Sequence, residues 1–300
     1  MSIDVVCTGM VFLDLTFEGL NALPENGRER WASELHAAPG GAATTAIGIT
    51  RLGYSAAVIA PLGRDVPGRS LRGMLDAQGV LCAGPESERT PVTVVLPFAG
   101  DRAMITYEPP ARIDSAEIER LDPRAVVTNA TQLELVPDGA AGYATVGDSE
   151  AGALANHLPP ALGRLRALLM NDLEAERITG MTTAEEAARA LAEHVETAVV
   201  SRGAAGAVAV SRGELVTASA PMVEARDTTG AGDLLVAAWV AGDLKGLPLA
   251  ERLQRAVVYA ALSVQRATGA MSAVTLEELE HALGELDPVS RSALAKEEAQ

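Results

Sequence analysis

Short apolar runs alternate with longer amphipathic stretches along most of this chain, and that rhythm restricts its fold more than any other feature. Ile3–Thr8, Ala56–Ala60, Ala125–Thr128, Ala144–Gly147, Ala167–Met170 and Thr197–Ser201 read as strands. Helical segments stand between several of them, among them Thr44–Leu52, ended by Gly53, and Gly68–Gln78, ended by Gly79. Strand, helix, strand in repetition predicts an α/β layered domain with a mostly parallel sheet. Ala231 to about Lys245 and Leu249 to about Arg266 read as helices, and the polar residues after Leu286 as a frayed end.

Two regions break the rhythm. Thr90–Phe98 and Ala103–Glu108 are extended and separated by Ala-Gly-Asp-Arg, a hairpin signal. Leu13–Glu18 and Trp31–His36 are short and partly alternating. These segments, about 12–37 and 90–108, are expected to form a small β lid on a single domain covering 1–300. Five aromatics (Phe12, Phe17, Trp31, Phe98 and Tyr107) fall in or beside it, and the simplest reading makes them its own small core.

Composition narrows the function. Apolar residues are 48% and charged residues 21%, the balance of a globular protein. With 24 Lys+Arg against 40 Asp+Glu, the net charge of −16 argues against a nucleic-acid or anionic-membrane partner. No apolar run approaches the roughly 18 residues of a membrane helix. The opening Met-Ser-Ile-Asp lacks the pattern of a secretory signal, so a cytoplasmic location is expected. Cys7 and Cys82 are too few for a disulfide framework, and the four histidines show no metal-ligand spacing.

The chemistry concentrates in Asp227-Thr-Thr-Gly-Ala-Gly-Asp233, which opens an apolar helix. Two glycines around an alanine let the backbone turn tightly and present N–H groups at a helix N-terminus, where anionic charge is stabilised. A carboxylate at Asp233 beside bound phosphate is sensible only if it takes a proton from an attacking hydroxyl. A bare helix cap would also use Asp, but it does not call for all seven residues in this order. There is no Walker-type lysine loop, and Gly230-x-Gly232-x-x-Leu235 lacks the third glycine of a dinucleotide site.

Weaker signals lie upstream. Pro39-Gly-Gly-Ala-Ala-Thr-Thr-Ala46 places a Gly-Gly pair before a helix, where an ordinary turn competes with close ligand approach. Gly9-x-x-x-x-Asp14 reads as a carboxylate at the end of the first strand, where ligands bind in parallel sheets.

Together these runs resemble the ribokinase-like, or PfkB-type, carbohydrate kinase family. Asp227–Asp233 is similar to its C-terminal signature, and Gly40-Gly41, Arg51-Leu-Gly53 and Leu62-Gly63-Arg64-Asp65-x-x-Gly68 to its N-terminal one. The resemblance runs from about Ile3 to Leu283 and implies a three-layer α/β/α ribokinase-like domain with a small β lid. It implies ATP and Mg²⁺ as cofactors and Asp233 as catalytic base, with the amides of Gly230, Ala231 and Gly232 as anion hole. Asp14, Gly40, Gly41 and Thr45 would hold the sugar. Asn171 and Glu174 would serve Mg²⁺ and phosphate through water, and Ser201, Gly203, Gly206 and Thr228 the nucleotide. Asp227, the Thr229 carbonyl and Gly269 (with the Arg266–Gly269 loop) resemble the K⁺ site of part of the family.

The chain departs from the pattern where many sugar kinases have Asn, placing Thr45 in one such region and Phe12-Leu13 before Asp14. Ala42, Ala204 and Ala205 stand where some relatives carry Lys or Asn, so charge near phosphate must come from Mg²⁺, arginines or backbone. The expected activity is ATP-dependent phosphorylation of a hydroxyl on a small sugar. A nucleoside kinase, using the lid aromatics for stacking, and a non-catalytic sugar-binding protein are the alternatives. An acidic acceptor would need Arg28, Arg30 or Arg102. One apolar face of the lid predicts a homodimer.

Overall fold

The computed structural model describes residues 3–98, 101–109, 112–155, 157–266 and 269–286. The chain begins with β1 (Val5–Thr8), β2 (Val11–Glu18) and β3 (Glu34–Gly41), then α1 (Ala42–Arg51) and β4 (Ala56–Ile59). β5 (Leu62–Gly63), α2 (Val66–Ala77), β6 (Leu81–Ala83), β7 (Glu86–Ser87), β8 (Val92–Phe98) and β9 (Asp101–Tyr107) follow. The middle holds α3 (Ser115–Glu119), β10 (Ala125–Asn129), β11 (Ala141–Thr145), α4 (Asp148–Leu154), β12 (Ala167–Asn171), α5 (Asp172–Thr179) and α6 (Ala184–Leu191). β13 (Thr197–Ser201), β14 (Ala207–Ser211), β15 (Glu214–Ala218), α7 (Ala231–Leu244), α8 (Leu249–Ser263) and α9 (Leu276–Leu286) complete it.

Nine strands form one sheet in the order β15-β14-β13-β12-β11-β10-β1-β4-β6. Six of its eight pairings are parallel; only β13–β14 and β14–β15 are antiparallel. Alternate residues feed two separate cores. Cys7, Val58, Val127, Leu169 and Val199 pack with α1, α7 and α8, while Val6, Ile59, Val126, Leu168 and Val200 pack with α4, α5 and α6. The result is three layers, α/β/α, as the alternation of elements requires. The chain builds outward from β1 to β4 and β6, then returns to add β10 and the rest on the other side. That reversal opens a crevice at the carboxyl ends of β1 and β10.

A second sheet, β3-β2-β8-β9, stands apart from the first. It corrects the placement of Asp14: β1 stops at Thr8, and Asp14 lies inside β2, paired with Ala38 and Thr93. Gly9, at φ 131, is where the chain leaves the main sheet, a bend that hydropathy does not reveal. β3 starts at Glu34, not at Trp31, and runs into the Gly-Gly pair, so Gly40 and Gly41 end a strand rather than make a free turn. The aromatics do not form a core there. Trp31, which precedes β3, is 84% exposed, and Tyr107 on β9 is 53% exposed because a sheet this thin leaves its outer face open.

Other boundaries shift. β11 sits at 141–145, short of the expected Ala144–Gly147, and Met222–Glu224, whose residues read as extended ahead of the glycine-rich run, forms no strand, with Met222 fully exposed. The hairpin tip at 99–100, residues 267–268 and everything after Leu286 lie outside the described residues. Among the described residues no helix is long and apolar enough to cross a membrane.

Candidate functional site

A cavity of about 650 Å³ occupies the crevice at the carboxyl ends of the parallel strands. Cys7–Gly9 at the end of β1, Val127–Asn129 of β10, Thr145–Gly147 at the end of β11, Leu169–Asn171 of β12 and Ser201 of β13 contribute its floor. The N-terminus of α7 brings in Thr228, Gly230, Gly232 and Asp233, and the second sheet adds Phe12 and Arg102. Of the residues singled out from sequence, Gly41, Thr45, Asn171, Glu174, Ser201, Thr228, Gly230, Gly232 and Asp233 therefore meet in one cavity. Asn129, Thr145 and Glu150 also line it and were not anticipated. The rule that ligands sit beyond the carboxyl ends of parallel strands would have pointed to them.

The Asp227–Asp233 run makes an Asx turn and then a helix start. Asp227 Oδ1 accepts the Thr229 N–H at 2.8 Å, and Gly230 caps α7 in the left-handed region, φ 76. A Cβ at Gly230 would stand 2.9 Å from Thr44 Cγ2, so both conformation and space call for glycine. The three amides are not equivalent. Ala231 N–H donates to the Thr228 carbonyl at 3.3 Å, whereas among the described residues no hydrogen bond engages the N–H of Gly230, Gly232 or Asp233. Thr45 Oγ1 donates to the Asp233 carbonyl at 3.3 Å, tying α1 to the first turn of α7.

Asp233 is a buried carboxyl whose charged form is disfavoured. Burial pushes it up to about 7, with Asp14 and Glu174 repelling its charged form. Asp14 is raised to about 6 by burial, partly offset by a hydrogen bond from Thr93, and further raised by Asp227. Burial also raises the Cys7 thiol, beneath Asp233, so Cys7 stays neutral. Gly40 and Asp14 interlock, since a Cβ on Gly40 would fall 2.0 Å from Asp14 Oδ2. Asp14 and Gly40 therefore sit at the edge of the cavity, beside Gly41, which lines it.

Asn171 and Glu174 form a capping box at the start of α5: Asn171 Oδ1 accepts from Glu174 N at 2.8 Å, and Glu174 Oε2 from Asn171 N at 2.9 Å. Burial, with Asp148 and Glu150 nearby, raises the Glu174 carboxyl. The pair has a structural duty and still faces the cavity. Gly203 and Gly206 do not line it; a Cβ on Gly206 would stand 2.0 Å from the Ala218 carbonyl, which explains that glycine by packing. Asp65 likewise caps α2, accepting from Gly68 and Thr90, so this part of the N-terminal pattern builds a turn away from the cavity. Gly269, at φ 48, abuts the Thr229 carbonyl.

Two contacts connect the second sheet to the glycine-rich run. Arg102 Nη1 donates to Thr228 Oγ1 at 3.0 Å, and Arg226 Nη2 lies 3.7 Å from Glu18 Oε2.

The chain is similar to known proteins over most of its length. Residues 143–276 match the pfkB family carbohydrate kinase profile. The bifunctional protein HldE of Caulobacter vibrioides is 28% identical over 260 residues, 76% of this chain and 52% of that protein. "Probable fructokinase-6, chloroplastic" of Arabidopsis thaliana is 27% identical, covering 92% of this chain and 81% of its own. The chain thus spans about half the length of the bifunctional relative. Among solved structures, an E. coli protein assigned as ribokinase II, in complex with ATP and Mg²⁺, superposes with a TM-score of 0.79 at 22% identity, covering 94% of this chain and 99% of that one. Arabidopsis thaliana ribokinase complexed with ribose and ATP gives 0.78 at 24%, covering 94% and 98%.

Proposed function

Because the chain belongs to the ribokinase-like, PfkB-type family, we propose that it transfers the γ-phosphoryl group of ATP to a hydroxyl of a small sugar. One observation carries the reading: a carboxylate raised to about 7 opens the same helix turn that leaves the Gly230 and Gly232 amides unengaged. In this mechanism the acceptor hydroxyl gives its proton to Asp233 as its oxygen bonds to the γ-phosphorus. The bond from that phosphorus to the β,γ-bridging oxygen breaks, and ADP leaves. The free amides and the α7 dipole stabilise negative charge on the transferring group, and Asp14 orients the acceptor by accepting its hydroxyl hydrogens.

Glu174 and Glu150 offer hard carboxylate oxygens suited to Mg²⁺, which would draw charge from the phosphates when bound. Asp227, the Thr229 carbonyl and Gly269 are the candidate surroundings of K⁺. The second sheet serves as a lid that excludes competing water. A sugar is favoured over a nucleoside because, of the five aromatics near the lid, only Phe12 lines the cavity.

A coupled ATPase screen over sugars and nucleosides tests this. Turnover with a monosaccharide is expected. Sugar-induced thermal stabilisation without any turnover would replace the enzyme by a binding protein, and turnover confined to nucleosides would replace the acceptor class.

A further inference from the structure

We propose that Arg102 is a phosphate-binding residue of this cavity, delivered by the second sheet to the γ-phosphoryl group of ATP; this rests on the phosphotransferase reading above. The cavity has an unusual charge balance for a site that holds a polyphosphate. Among the described residues lining it, Glu108, Glu150, Glu174 and Asp233 are anionic and Arg102 alone is cationic. The glycine-rich run itself contains two aspartates and no basic residue, and Ala204 and Ala205 occupy the loop after β13. An arginine matches phosphate with a planar fork of donors that no other side chain here can supply.

The sheet register brings Arg102 to the correct side. Thr93 pairs with both Asp14 and Thr106, and the two threonine hydroxyls lie 3.3 Å apart, which puts Asp14, Thr93 and Thr106 on one face. Arg102 is four residues before Thr106 on β9, an even step, so it shares that face nearer the hairpin tip. Its Nη1 reaches Thr228 Oγ1 at 3.0 Å, two residues before Gly230 and its unengaged N–H. The Arg226–Glu18 pair lies at the same end of the sheet, so two links tie this end of the sheet to the start of the glycine-rich run. A guanidinium that reaches the Thr228 hydroxyl stands beside the unengaged amides where a phosphoryl oxygen would lie, and it would bond that anion more strongly than it bonds the hydroxyl.

Calorimetric titration of the full chain with MgATP and with MgADP tests the assignment without knowledge of the acceptor. Arg102→Ala is expected to weaken MgATP about tenfold, the scale of one charge-assisted hydrogen bond, while MgADP stays within about twofold. Arg102→Lys should fall between, keeping the charge and losing the fork. The side chain is exposed, so melting temperatures of the variants should match the wild type. Unchanged MgATP affinity in Arg102→Ala, or equal losses for both nucleotides, would overturn the proposal and leave the kinase reading intact. A wild-type chain that binds neither nucleotide would overturn both.

Discussion

The Asp14 carboxylate occupies the space beside Gly40, so that a Cβ on the glycine would stand 2.0 Å from Asp14 Oδ2 and 2.6 Å from its Cγ. The two sit on neighbouring strands, β2 and β3, whose register pairs Asp14 with Ala38 and Phe12 with Gly40. A methyl group at position 40 must therefore displace the carboxylate rather than a flexible chain end. Gly40→Ala should raise the acceptor KM at least about tenfold while the KM for ATP stays within about twofold, since the residues proposed to hold the nucleotide lie on other elements. Steady-state kinetics with each substrate varied in turn checks this. Parallel loss for both substrates would mean that the sheet, not Asp14, had been disturbed.

The raised carboxyls predict an acid limb in the pH profile. Asp233 must be ionised to take a proton, so kcat/KM should climb with pH to about 7 and flatten above. Asp14, at about 6, couples to it, and the limb belongs to the pair. Asp14→Asn removes a repelling charge and should move the limb to lower pH. Asp233→Asn should abolish the limb and cut kcat by about 10²–10⁴-fold. Stability runs the other way. The folded state retains the Asp233 proton between about 4 and 7 where the unfolded chain has lost it, so stability falls as pH rises through that window. At pH 8 the Asp233→Asn variant should therefore melt above the wild type, and thermal scans at pH 5 and 8 will show whether the gap opens with pH.

The far end of α7 carries a second carboxylate, held by cations. Asp243 on α7 is 8% exposed and bonds to the Tyr143 hydroxyl, to Arg166 Nη2 at 3.0 Å and to Arg252 Nη1 at 2.7 Å. Arg252 in turn stacks over Trp239 at 5.0 Å. This network docks α7 against β11 and α8 and so sets where its N-terminus delivers Asp233. Asp243→Ala should destabilise by about 3 kcal/mol, because it strands the shielded Arg252 and the buried Tyr143 hydroxyl. Urea unfolding should show a lower midpoint with an unchanged slope.

What the amino-acid pattern disclosed, and what it hid, follows from the range of the forces involved. The main strands and α7 were legible because burial on two faces demands apolar runs, and the Asp227–Asp233 turn because local backbone geometry demands its glycines. Asp14 was misplaced by a whole sheet, since nothing local marks Gly9 as the exit from one sheet to another. The β14–β15 hairpin escaped notice although Arg212 and Gly213 both adopt positive φ, the two-residue turn that favours hairpins; an arginine there is an unusual signal. The Arg102–Thr228 contact spans 126 residues and could not have been read from spacing at all.

The outer face of the second sheet leads to the last prediction. Pairing places Leu15 beside Val94, Val94 beside Ile105, Val92 beside Tyr107 and Phe17 beside Leu35, so these side chains share the face opposite Asp14. Leu35 is 58% exposed and Ile105 70%, the open outer part of an apolar strip whose Leu15 and Val92 pack against the main core. A second copy of the chain, turned about a two-fold axis, would meet the strip with its own and bury both. Sedimentation at micromolar concentration should give a dimer, and Leu35→Glu with Ile105→Glu should give a monomer of unchanged far-ultraviolet dichroism. Because the opposite face of the same four strands carries Asp14, Thr93 and Arg102, the monomer should also lose acceptor affinity. A wild-type chain that sediments as a monomer would assign the strip to some other partner.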